Sequence, residues 1–109
     1  MDFNTYQHEA KRTLDLNRNQ SELIQMSALG LNGEAGEVAD LIKKHYYHGH
    51  ELDIEAVQKE LGDVLWYIAS CATVFNINLE DIAKKNVEKL QKRYPNGFNT
   101  EDSLKRIDT

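Results

Sequence analysis

The chain is poor in the residues that punctuate or cross-link a fold. Its 109 residues include one cysteine, one proline and six glycines. A lone Cys71 cannot close an internal disulfide, so a reducing, cytoplasmic setting is expected. No apolar run nears the roughly 20 residues that cross a bilayer, and MDFNTYQHEAKR is too polar for a secretory leader. Positive charge is also scarce: 13 lysines and arginines face 18 acidic residues, a formal net charge of −5. Without a basic stripe to displace counterions, neither nucleic acid nor a membrane is expected as a partner. Acidity does not exclude an anionic ligand, because metal ions can bring the positive charge. A chain this short buries only about two-thirds of its unfolded surface, which leaves room for self-association.

β-alternation is absent too, and nearly everything between the few breaks has helical period. Phe3, Tyr6, Ala10 and Leu14 predict a first, weak helix within 2–17. RNQSE offers Asn19 and Ser21 as caps for a long helix from Glu22 to Tyr47. Ile24, Leu31, Ala35, Val38 and Ile42 fall on one side of it. HGHELD breaks that helix, and Asp53 caps a third over 54–75, the most apolar segment. NINLED breaks again, with Asn78 and Asp81 spaced as a capping box for a fourth helix over 79–93. RYPNGF ends it in a turn. The expectation is an all-α, antiparallel four-helix bundle-like fold, one domain over 1–109 with 95–109 as a C-terminal arm.

Carboxylates sit where such a bundle should be apolar. Positions three or four apart share a helix face, so Glu34 projects with Glu37, and Glu60 with Asp63. At about 100° per residue, Glu60 falls among Ala56, Val57, Val64, Tyr67, Ile68 and Cys71, and Glu34 beside Val38 and Leu41. Charges are almost never buried unless paired or metal-bound. Lys43, Lys44 and Lys59 face water by the same geometry, so four converging carboxylates would repel one another and raise their pKa values. An oxygen-only set suits Mg²⁺ or Mn²⁺. The competing reading is ordinary surface charge paired with lysines at helical spacing.

In the fourth helix, Leu79, Ala83, Asn86 and Leu90 form a stripe whose third member is an amide. It can fix helix register or meet a metal or a sugar hydroxyl. Lys89, Lys92 and Arg93 follow, within reach of phosphate oxygens or merely solvated. His45, His48 and His50 mark the loop between the carboxylate helices, as exposed loop residues or a metal tract. A di-iron bundle is excluded, because neither Glu37 nor Glu60 has a histidine three residues later.

At these residues the sequence resembles the MazG-like all-α nucleoside triphosphate pyrophosphohydrolases. Their signature is Glu-Glu-x-x-Glu, a spacer, then Glu-x-x-Asp. GEAGE matches at Glu34 and Glu37, and ELGD at Glu60 and Asp63. YQHEAKRT and NVEKLQKRYPNGF resemble the family's first and fourth helices, so the likeness runs from about residue 6 to 106. The departure is Gly33, which stands where the signature has its first glutamate. The resemblance implies cleavage of a nucleoside triphosphate between its α and β phosphates. It implies Mg²⁺, with Mn²⁺ as a substitute, held by Glu34, Glu37, Glu60 and Asp63. Glu37 and Glu60 are the expected catalytic carboxylates, Glu37 as a general base for water. Asn86, Lys89 and Arg93 match positions that contact metal, sugar or phosphates. Tyr94, Phe98, Trp66 and Tyr67 are expected around the base, Trp66 equally as core or interface, and Ser103 and Arg106 in a tail closing over substrate. A homo-oligomer is implied, a dimer or dimer-of-dimers tetramer whose neighbouring subunits complete the site. A catalytically silent partner-binding module that keeps the fold is the alternative.

The same segment holds Gly30, Gly33 and Gly36 within a helix, each costing roughly 0.5–1 kcal/mol relative to alanine. No strand precedes them, which argues against a phosphate-cradling loop. Gly30 and Gly33 are expected to admit a neighbouring helix or a substrate against the backbone.

Overall fold

Residues 1–106 are described by the structure, a computed structural model, and 107–109 lie outside it. Five helices follow in order: α1 Phe3–Lys11, α2 Gln20–His48, α3 Ile54–Val74, α4 Leu79–Arg93 and α5 Thr100–Lys105. The described residues contain no strand, and the fold is all-α.

Local chemistry sets most of the boundaries. Asn19 accepts from the Glu22 N–H at 2.9 Å, and the Glu22 carboxylate accepts from the Asn19 N–H at 3.2 Å, a complete capping box. Asp53 accepts from the N–H groups of Glu55 and Ala56, as its position predicts. Gly49 ends α2 with φ 75°, the left-handed conformation that glycine adopts without penalty. Asn76, at φ 57°, does the same after α3. There the Asn76 N–H bonds to the Thr73 carbonyl at 3.0 Å, and the Ile77 N–H to that of Ala72 at 2.8 Å.

Two expectations need correction. The first helix stops at Lys11 instead of running to 17. The Thr13 hydroxyl donates to the Ala10 carbonyl at 3.1 Å, and Asp15 accepts from the Asn17 N–H at 3.2 Å. Both local bonds compete with helix continuation. Leu14 still packs with Leu23 and Val74, so its periodicity reported a contact, not a helix. The second correction concerns α4, whose Asn78 makes no side-chain cap. Gln7 of α1 supplies it, accepting from the Leu79 N–H at 2.8 Å. The Gln7 amide nitrogen donates to the Ile77 carbonyl at 2.8 Å and to the Thr73 hydroxyl at 3.2 Å. One side chain therefore ties α1 to the α3–α4 joint.

The core is small. Ala10, Ala69 and Leu79 form one buried cluster, and Leu14, Leu23 and Val74 another. Trp66 packs against both and donates its indole N–H to the Thr13 hydroxyl at 2.9 Å. The largest helix pairing is α2 with α3. On α2 the buried residues are Leu23 and Ser27, while Ala35 and Ile42 of the expected apolar side are exposed. Contact with α3 follows the stripe Leu23, Ser27, Gly30 and Glu34, opposite Val74, Ser70, Tyr67 and Asp63.

The fourth helix joins this pair only at one end. It touches α1 and α3 but makes no substantial contact with α2, and α5 packs closely on none of the four. The radius of gyration is 17.0 Å, where about 13 Å is usual for a compact chain of this length. The bundle is open.

Removing the Gln7 amide leaves the Leu79 N–H without its partner. We expect Gln7→Ala to lower unfolding stability by about 1–3 kcal/mol, read from the urea midpoint at unchanged slope. An unchanged midpoint would mean that the joint does not depend on this residue.

Candidate metal centre

The α2–α3 stripe turns from apolar to acidic along its length. Past Gly30 and Tyr67, Glu34, Glu60 and Asp63 each present a carboxylate oxygen, all within 4.8 Å of one another. Glu34 and Glu60 are half-buried and Asp63 is exposed. Glu37, one turn beyond Glu34, is exposed and outside this group, although its charge still reaches Glu34. The structure thus brings together three of the four expected ligands.

The lysines of α2 and α3 are engaged elsewhere. Lys43 and Lys44 both pair with Asp40, at 3.3 and 2.8 Å, and Lys59 pairs with Glu55 at 3.8 Å. Glu34 carries the consequence. Its burial, a hydrogen bond shared with Glu60, and the charges of Asp63, Glu60 and Glu37 hold its carboxyl above the ordinary 4.5. Tyr6 of α1 lies near enough that burial, then the Asp63 charge, push its phenol above 10.0. The donor set is all oxygen, which suits a hard divalent cation such as Mg²⁺ or Mn²⁺. No histidine belongs to a convergent ligand group among the described residues. His45 instead meets the His50 carbonyl through Nδ1 at 2.8 Å and closes the α2–α3 loop. Burial pushes the Cys71 thiol up, which leaves it protonated and a poor nucleophile.

Carboxylates paired across two consecutive helices agree with the family comparison. Residues 23–98 match the MazG nucleotide pyrophosphohydrolase domain. The chain belongs to that family. It is also 37% identical over 73 residues to the Gene 37 protein of Mycobacterium phage L5. That match covers 63% of this chain and 64% of the phage protein, so the chain spans less than two thirds of that relative's length. No solved structure matches it.

The other residues expected in the MazG site are more scattered. Asn86 and Lys89 are exposed on α4 and Arg93 is half-buried at its end. No α4 charge is among the groups that shift Glu34. Tyr94 and Phe98 form a tilted pair at 5.3 Å, with the Arg93 guanidinium 5.8 Å from the Tyr94 ring centre. Trp66 lies in the core joint, and Tyr67 lies beside it against Gly30. Gly30 thus admits a neighbouring helix as expected, but Gly33 meets nothing within 4 Å. Ser103 is half-buried on α5, and Arg106 caps that helix in the left-handed region. Tyr6, Ser27 and Ser70 were not singled out from sequence. The spacing Leu23, Ser27, Gly30, Glu34 carries the signal, but serine and glycine hide it from an apolar count.

Folding raises the Glu34 pKa, so the fold favours its protonated form. That contribution is complete below about 4.5 and is lost as pH rises through the raised value. Glu34→Gln should therefore raise the neutral-pH Tm of EDTA-treated protein and flatten the fall of Tm with rising pH. Parallel Tm-against-pH curves for the two proteins would refute the electrostatic account.

Proposed function

We propose that this MazG domain is a Mg²⁺-dependent nucleoside triphosphate pyrophosphohydrolase, releasing pyrophosphate and a nucleoside monophosphate. The carrying observation is the convergence of Glu34, Glu60 and Asp63 while the lysines of both helices pair with other carboxylates. Those three carboxylates would hold the ion, and the chemistry it would supply is positive charge for a triphosphate and a more acidic water. Glu37, at the exposed rim one turn from Glu34, is the residue to orient the attacking water and accept its proton. Glu60, half-buried on α3, brings its carboxylate to the same point as that of Glu34 on α2. Asn86, Lys89 and Arg93 offer an amide, an ammonium and a guanidinium for sugar and phosphate oxygens. Tyr94 and Phe98 offer ring faces for the base.

No α4 charge is among the groups that shift Glu34, so these α4 groups serve the carboxylates best from a second copy. Exposed apolar side chains favour such an assembly, among them Leu29 and Leu61 on the carboxylate helices and Phe98 in the exit turn. A homo-oligomer, dimer or tetramer, and one functional domain spanning 1–109 are part of this reading.

Incubation with a panel of ordinary and modified nucleoside triphosphates and Mg²⁺, scored for pyrophosphate, tests it. We expect release by the native chain and a loss of at least about 100-fold in Glu60→Gln. Undiminished release by Glu60→Gln would sink the assignment of this centre, and no release from any nucleotide would favour a silent helical module. Gly33→Glu enters open space, since a Cβ there meets nothing within 4 Å. It should fold normally and raise turnover; unchanged turnover would make the signature's first glutamate dispensable here.

A further inference from the structure

Gly30 differs from the other two glycines of α2. A methyl group there would overlap the Tyr67 ring at Cδ1, Cε1 and Cζ, whereas Gly33 and Gly36 face nothing within 4 Å. The ring also meets Trp66, edge to face at 4.9 Å and 86°. Trp66 is itself fixed by the Thr13 hydrogen bond and by both core clusters. Tyr67 therefore touches both the α2 backbone and a residue that cannot easily yield.

This contact lies one helical turn from Glu34 on α2 and one turn from Asp63 on α3. Gly30 is four residues before Glu34, and Tyr67 is four after Asp63. One turn further from the carboxylates, Ser27 and Ser70 are only 1% and 2% exposed, and neither hydroxyl has a partner. Small side chains there let the two helices come close, and such seams ordinarily favour alanine over an unpaired hydroxyl or a mid-helix glycine. The seam gives up local stability, and what it obtains is a fixed spacing next to Glu34, Glu60 and Asp63.

We propose that Gly30 and Tyr67 are a positioning pair: the ring seated on the bare backbone sets the α2–α3 separation at the carboxylate cluster, and with it the affinity for a divalent cation. This rests on the metal-centre reading above. Enlarging residue 30 forces either α2 or the ring to move, and each displaces a carboxylate-bearing turn. Shrinking residue 67 lets the helices drift.

Mn²⁺ binding, followed by loss of the free-ion EPR signal, tests the idea without any turnover. Gly30→Ala should weaken binding about tenfold, the order seen when a residue that orients metal ligands is lost, with unchanged helical circular dichroism. Tyr67→Leu should weaken it too, while Tyr67→Phe, which keeps the ring, should bind as the native chain does. The Gly30→Ala/Tyr67→Leu double variant removes the overlap and should recover most of the lost affinity. Native affinity in Gly30→Ala, or a double variant no better than its parents, would overturn the positioning role. Glu60→Gln, run alongside, separates the two failures: if it binds Mn²⁺ as the native chain does, the metal centre itself is wrong.

Discussion

Three carboxylates facing one another across a helix seam, with the lysines of both helices engaged elsewhere, constrain everything around them. Glu34, Glu60 and Asp63 repel, and the α2–α3 pairing must supply the attraction that keeps them together. That attraction comes from the opposite end of the seam, where Leu23 meets Val74 beside Leu14. Between the two ends lie serine, glycine and tyrosine, which transmit close approach from the apolar half to the acidic half. The helix pair is thus divided into a half that stabilises and a half that strains. Anything that binds the native acidic half and not the unfolded chain adds to stability by mass action.

Much of this was legible in the sequence because helical period is a strong signal. The four main helices, the caps at Asn19 and Asp53, and the convergence of Glu34 with Glu60 and Asp63 follow from spacing alone. The errors have physical sources. Of the expected apolar side of α2, Ile24 packs on the core and Leu31 and Val38 are half-buried, but Ala35 and Ile42 are exposed and the most buried line includes Ser27. Hydrophobicity marks burial only where packing wants volume; close approach wants its absence. The cap of α4 comes from Gln7, about 70 residues earlier in the chain, and no local pattern could announce it. Glu37 shares a face with Glu34 but is exposed and stands outside the group that Glu34 forms with Glu60 and Asp63. Helical phase gives direction, and only the partner helix gives depth.

The open shape of the bundle is consistent with its chemistry. A closed four-helix core would bury the carboxylates among apolar groups and multiply their desolvation cost. Here α4 crosses near its N-terminal end, where Leu79 packs with Ala10 and Ala69, and leaves the acidic end of the α2–α3 pair uncovered. Tyr6 approaches that end from α1 and brings a neutral phenol instead of another charge. The exposed side chains of α4 and the exit turn are then available to a surface other than their own chain's.

Asp40 acts by what it takes away. It holds Lys43 and Lys44 at once, and the Lys44 ammonium and then that of Lys43 keep its carboxyl below the ordinary range. Lys44 feels the Glu37 charge as well, but its nitrogen rests on Asp40 at 2.8 Å. With these two ammonium groups spent on Asp40, the acidic end of the seam keeps more of its negative potential, which attracts cations and repels bare polyanions. A half-buried aspartate three residues past Glu37 thereby shapes the charge of a cluster that it does not join.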